Sequence, residues 1–157
     1  MTLFELFDAL ELSPVGQFVR DSIWLFPAIE AVHLLGLCLL GGAVLVVDLR
    51  LLGFGLTTRR VIDLARDTRP YLLIALAVMF ATGVPLFLSE AVKCYFNFSF
   101  WVKMGALTAA LAFTFTWHQW VTRAEPAHAV ALQRLTGAIS LGLWFTVAAA
   151  GRWIGFS

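Results

Sequence analysis

Four stretches, residues 22–47, 70–89, 100–121 and 134–154, are each long and apolar enough to cross the hydrocarbon of a bilayer. Lipid offers no hydrogen-bonding partner to a peptide group, so a single spanning segment satisfies its backbone only as a helix. The chain of 157 residues is 61% hydrophobic and 13% charged, about half the charge typical of a soluble domain. Too little polar surface exists to cover a water-soluble globule. These features predict an all-α, integral membrane four-helix bundle, one domain spanning residues 1–157.

An amphipathic stretch precedes the first span. Leu3, Phe4, Leu6, Phe7 and Leu10 form one face at helical spacing, with Glu5, Asp8 and Glu11 opposite. It reads as an N-terminal helix lying in the membrane interface, closed by Ser13-Pro14, which starts a second short turn. The first residues lack a basic segment of the kind that opens a cleavable leader, so the N-terminus is expected to be part of the mature chain.

Orientation follows from basic residues near the span ends. Arg50, Arg59, Arg60, Arg66, Arg69, Arg123 and Arg134 flank one side, against Arg20, Lys93, Lys103 and Arg152 on the other. That bias predicts a bacterial inner-membrane protein with both termini outside. Trp24, Trp101 and Trp153 mark the outer interface, Trp117 and Trp120 the inner one. Residues 57–69 read as a separate short amphipathic helix carrying an Arg59–Asp63 surface pair. Asp48 and Arg50 read as boundary residues snorkelling to water. Small residues four apart, Cys38 and Gly42, Ala106 and Ala110, Ala138 and Gly142, are expected to bring helices together. Pro27 and Pro85 are expected to kink their helices.

A net charge of +1 and the absence of a basic run argue against nucleic-acid binding. Cys38 and Cys94 sit in unrelated contexts, one in an apolar run and one in a short loop, which argues against a disulfide framework. No phosphate loop, nucleophile elbow or paired-cysteine motif occurs, so no catalysis beyond electron transfer is indicated.

The chemistry of the chain therefore rests on ionisable residues inside the spans. Such groups are costly in hydrocarbon and usually face the protein interior. Glu30 and His33 lie three apart in the first span, and Lys103 and Arg152 stand at comparable outer depth on the third and fourth. These four predict a buried polar site in the outer half, either functional or a pair that fixes helix register. His118, placed about 10 Å in depth from His33, reads as an interfacial hydrogen-bonding residue. His128 is expected to be solvent-exposed. A copper(I) site could draw on His33, Cys38, Met79 and Met104, although His33 and Cys38 are five apart and point to different faces.

The run Ser22-x-Trp24-Leu25-Phe26-Pro27-x-x-Glu30-x-x-His33-x-x-Gly36, with Asp48-Leu49-Arg50-Leu51-Leu52-Gly53, resembles a family of short bacterial four-span proteins without a characterised function. Lys103, Trp117-His118 and Gly151-Arg152-Trp153 match the same family. Its architecture is distantly similar to copper-resistance D-type proteins and transmembrane b-type cytochromes. That resemblance implies His33 and His118 as haem ligands, with His33 the metal-binding residue. Diheme cytochromes use four histidines, and this chain has three. The reading that follows is a membrane redox or electron-transfer subunit binding haem b, with a homodimer supplying His33 twice. The alternatives are a proton-coupled or metal-ion transporter component, and a structural accessory subunit of a larger membrane complex.

Overall fold

The computed structural model describes residues 2–124 and 130–156. Helix α1 spans Leu3–Glu11 and α2 spans Pro14–Asp21. The first membrane helix is α3, Leu25–Leu52, and the second is α4, Val61–Ser89. After the short α5, Ala91–Phe96, the third membrane helix runs as α6, Phe98–Phe113, a π-helical segment Thr114–His118, and α7, Gln119–Ala124. The fourth is α8, Val130–Ile154. Four of these runs are long and apolar enough to cross a membrane, so the chain is a multi-pass helical bundle.

Local sequence explains the ends. Thr2 and Glu5 form a reciprocal capping box at α1. Ser13 accepts from Gly16 N, with Pro14 in the first turn of α2. Gly53 ends α3 at φ +88°, where a side chain would be strained. Gly16 has a steric reason as well: a Cβ there would lie 2.5 Å from the Leu88 carbonyl oxygen at the end of α4. The N-terminal amphipathic pair is thereby clamped onto the bundle end. Phe7 of α1 is buried among Cys94, Phe100 and Phe87, while Leu3, Phe4 and Leu6 face outward.

Three expectations are corrected. Residues 61–69 are not a separate amphipathic helix but the first turns of α4, which continues through Pro70. Arg59 pairs with Asp67 at 2.6 Å rather than with Asp63, reaching from the loop before α4 to its second turn. Pro27 is the third residue of α3, inside the first turn, where no intrahelical hydrogen bond is lost.

Packing sets the order of the bundle. Helix α3 lies between α4 and α8, and α6 packs on α8. Leu40, Val44, Ala75, Leu76, Ala110, Trp144 and Val147 make the central core. The small pairs Cys38–Gly42 and Ala138–Gly142 face outward, with nothing within 4 Å of a Cβ at either glycine. Close approach happens one residue away instead. A Cβ on Gly137 would sit 2.8 Å from the Asp48 carbonyl oxygen, so α8 and α3 meet nearly backbone to backbone there.

Candidate functional site

Asp48 is four residues from the end of α3, about 6 Å inside it by helical rise. Its side chain is 0% exposed, so the expectation that it snorkels to water is wrong. The reason is helical phase: Asp48 lies on the stripe that also buries Val44, Val47 and Leu51 against the rest of the bundle. Its Oδ1 lies 2.7 Å from Nε2 of His118, whose side chain is 12% exposed. Its Oδ2 has no hydrogen-bond partner among the described residues. The hydroxyl-bearing Ser140 of α8, 1% exposed, neighbours the same carboxyl. With Asp48 ionised its oxygen only accepts, which puts a proton on Nε2 of His118. Nδ1 is then the position that gains or loses one.

The π-helical segment presents His118 to Asp48. One wide turn shifts the residues after it around the helix axis, and such turns recur at functional sites. Two indole hydrogen bonds pin the segment to α8. Nε1 of the buried Trp144 donates to Thr114 Oγ1 at 3.1 Å, and Nε1 of Trp117 donates to Thr136 Oγ1 at 3.2 Å.

A cavity of about 460 Å³ opens beside this pair, between α4 and the π–α7 stretch. Its buried side carries Thr114, His118 and Ser140, and its exposed side carries Arg66, Arg69 and Arg123. Among the described residues no carboxylate lines it. The arrangement puts the Asp48–His118 pair on one side of a pocket whose walls include Val44, Val47, Ile62, Ala65 and Leu72, and three arginines on the other.

The expected site at the opposite end, where the termini lie, is not assembled as a cluster of four. Glu30 is exposed on the outside of α3. Arg152 is exposed at the end of α8, its guanidinium 4.3 Å over the Phe156 ring. Residues three apart differ by about 60° around a helix, and His33 is turned toward α4 while Glu30 is not. Lys103 is half-buried, its stem lying along Gly151 of α8, and its charge reaches His33. Only His33 and Lys103 of the four are thus brought near each other.

His33 has a defined tautomer. Thr82 Oγ1 gives its one proton to the Val78 carbonyl at 2.6 Å, so at 2.7 Å from His33 Nδ1 it accepts. Nδ1 is therefore the N–H and Nε2 carries the lone pair. His33 and Asp48 are fifteen residues apart on α3, roughly 22 Å by helical rise. Since His118 touches Asp48, the two histidines stand at opposite ends of the bundle, and one chain does not fit a haem ligated by both. Cys38 and Met104 are exposed, and Met79 packs beside the core. Among the described residues no group of three His, Cys, Asp or Glu side chains could hold a metal ion. His128 lies outside the described residues.

Cys94, in α5 outside the spans, is buried beside Glu90, and both effects push its thiol up to about 11. The thiol is the favoured form in the fold, so this group supports stability below its ordinary value near 9. The support is lost as pH rises through about 11. Maleimide labelling of the folded protein is expected to spare Cys94 at pH 8, where about one thiol in a thousand is ionised, and to modify it readily after denaturation. Equal labelling in both states is the contrary result.

Sequence reasoning read His118 as an interfacial hydrogen-bonding residue and, by resemblance, as a haem ligand; it read Asp48 as a boundary residue and did not single out Ser140 or the arginine-lined cavity. No curated protein and no solved structure gives a significant match to the chain. A family model described as a family of unknown function, DUF6644, matches residues 8–157, nearly the whole length, and the chain belongs to that family.

Proposed function

We propose that the protein is a proton-coupled membrane transport component, with Asp48 and His118 as the pair that takes up and releases the proton. One observation carries this reading: a wholly buried carboxylate, bonded to one imidazole, beside a cavity bordered by three arginines within a membrane-spanning bundle. An ionisable residue within a spanning helix is a functional candidate by default. An imidazole changes charge near physiological pH. When His118 gains a proton, Asp48 balances the new charge in a place that water does not screen. When the proton leaves through the cavity, the pair returns to a single negative charge. The pair thereby links the charge beside the cavity to the proton supply.

The positive-inside bias supports an orientation in which the arginine end faces the cytoplasm of a bacterial inner membrane. The cavity would then load from the cytoplasm. Vesicles containing the reconstituted protein and a pH-sensitive dye test the reading. Proton flux under an imposed gradient is expected to fall to the protein-free rate on Asp48→Asn. Undiminished flux in that variant sinks the proposal.

A second reading keeps the redox role implied by the likeness to b-type cytochromes. His33 favours it: Thr82 holds Nδ1, and Nε2 is left with the lone pair that an iron or copper ligand needs. Because His118 is remote, haem b would take its second axial ligand from another copy of the chain. An absorption spectrum of gently extracted protein decides this. Absence of a Soret band rejects it.

A further inference from the structure

We infer that the ligand of the cavity beside Asp48 and His118 is an anion carrying a phosphate group, held by Arg66, Arg69 and Arg123. This rests on the reading of that cavity as the working site, and it adds what the site would carry.

The argument begins with charge. Arg66 and Arg69 lie three apart on α4 and so share a face, and Arg123 stands across the cavity on α7. Three arginines line one pocket in which no carboxylate stands among the described residues. Three other basic groups pair with acids: Arg20 with Glu11, Lys93 with Glu90 and Arg59 with Asp67. Among the described residues Arg66, Arg69 and Arg123 make no ion pair. Snorkelling explains one arginine at a span end, but it gives no reason for three to line a single concavity. Mutual repulsion works against that arrangement unless an anion sits between them.

Size and chemistry narrow the ligand. A volume of about 460 Å³ is in the range of small-molecule sites and far exceeds a halide. Guanidinium forks match the oxygens of a phosphate with two parallel hydrogen bonds, and a dianion answers three positive charges better than a carboxylate. Gln119 lines the same pocket and supplies a neutral amide donor, while the hydroxyl protons of Thr68 and Thr122 go to the Leu64 and Gln119 carbonyls. The groups facing the anion are Arg66 and Arg69 from α4, Arg123 from α7 and His118 from the π-helical segment, with Asp48 of α3 behind it and the uncharged Ser140 from α8. Asp48 is the one negative charge among them, and a proton on His118 offsets it. Anion loading and proton uptake therefore favour each other. The phosphate could belong to a free anion or to a lipid headgroup, and the chemistry of recognition is the same.

The test uses the full chain in detergent. Inorganic phosphate is titrated while the fluorescence of the tryptophans, Trp117 and Trp120 near the site among them, is followed. Retained phosphatidic acid is measured separately by native mass spectrometry. Saturable phosphate binding, weakened about tenfold or more in both Arg69→Gln and Arg123→Gln, supports a free anion. Phosphatidic acid retained by the wild type and lost in both variants, without phosphate binding, supports a headgroup. Absence of both, or binding equal in wild type and variants, overturns the inference. Asp48→Asn separates the two proposals. Binding that survives in that variant while proton flux is also unchanged would leave the anion site standing and remove the proton pair.

Discussion

Replacing His118 with leucine is expected to destabilise the folded protein by about 3 kcal/mol, the cost of leaving a buried charged acceptor without its hydrogen-bond partner. Asp48 is 0% exposed, and its Oδ1 has His118 as hydrogen-bond partner at 2.7 Å while Oδ2 has none among the described residues. Remove the imidazole and the carboxylate keeps its burial but loses its main compensation. The cheaper replacement is Asp48→Asn, which keeps an acceptor for Nε2 and removes the charge, costing about 1 kcal/mol. A double replacement, Asp48→Leu with His118→Leu, is expected to recover much of the loss, because neither polar group is then stranded. Unfolding titrations in mixed micelles on the wild type, Asp48→Leu, His118→Leu and the double replacement give the coupling directly. If His118→Leu proves no worse than Asp48→Asn, the carboxyl is not held by the imidazole in the membrane.

What the sequence made plain and what it concealed divide along physical lines. Span length and hydropathy are local quantities, so four helices could be read without knowing how they pack. The direction in which each side chain points could not. Helix α3 is apolar nearly all round, and a helix of that kind has no polar face to show which side is buried. Glu30 therefore looked like an interior residue though it faces out, and Asp48, at the assumed end of its span, looked like a boundary residue though it faces in. The expected span ended at residue 47, whereas α3 runs to Leu52, and those five residues turn a surface carboxylate into a buried one. The π-helical turn hid the other half of the pair. A regular α-helix projected through Thr114–His118 misplaces each later residue around the axis, and nothing in Thr-Phe-Thr-Trp-His announces the wide turn. One signal was present: Val44, Val47, Asp48 and Leu51 share a stripe, and a carboxylate in phase with buried valines calls for a buried partner.

Gly137 should be the least replaceable glycine near the site. A Cβ there meets the Asp48 carbonyl oxygen at 2.8 Å, with Leu51 Cβ at 3.1 Å and Leu52 Cγ at 3.3 Å. The first of these is backbone, which does not swing aside as a side-chain tip does, so α8 must move as a body. Overpacking of this kind costs about 1–3 kcal/mol. The displacement would also pull at groups that shape the site, since Ser140 lies one turn along α8 and Thr136, adjacent to Gly137, holds Trp117 of the π-helical segment. Gly137→Ala is thus expected to lower both stability and proton flux. Gly142→Ala, five residues along the same helix with nothing within 4 Å of its Cβ, is the matched control and should gain slightly from the better helix former. Thermal unfolding in detergent and vesicle flux on the two variants compare them directly. If the two alanines behave alike, α3 and α8 do not meet at Gly137, and the close packing that walls in Asp48 loses its basis.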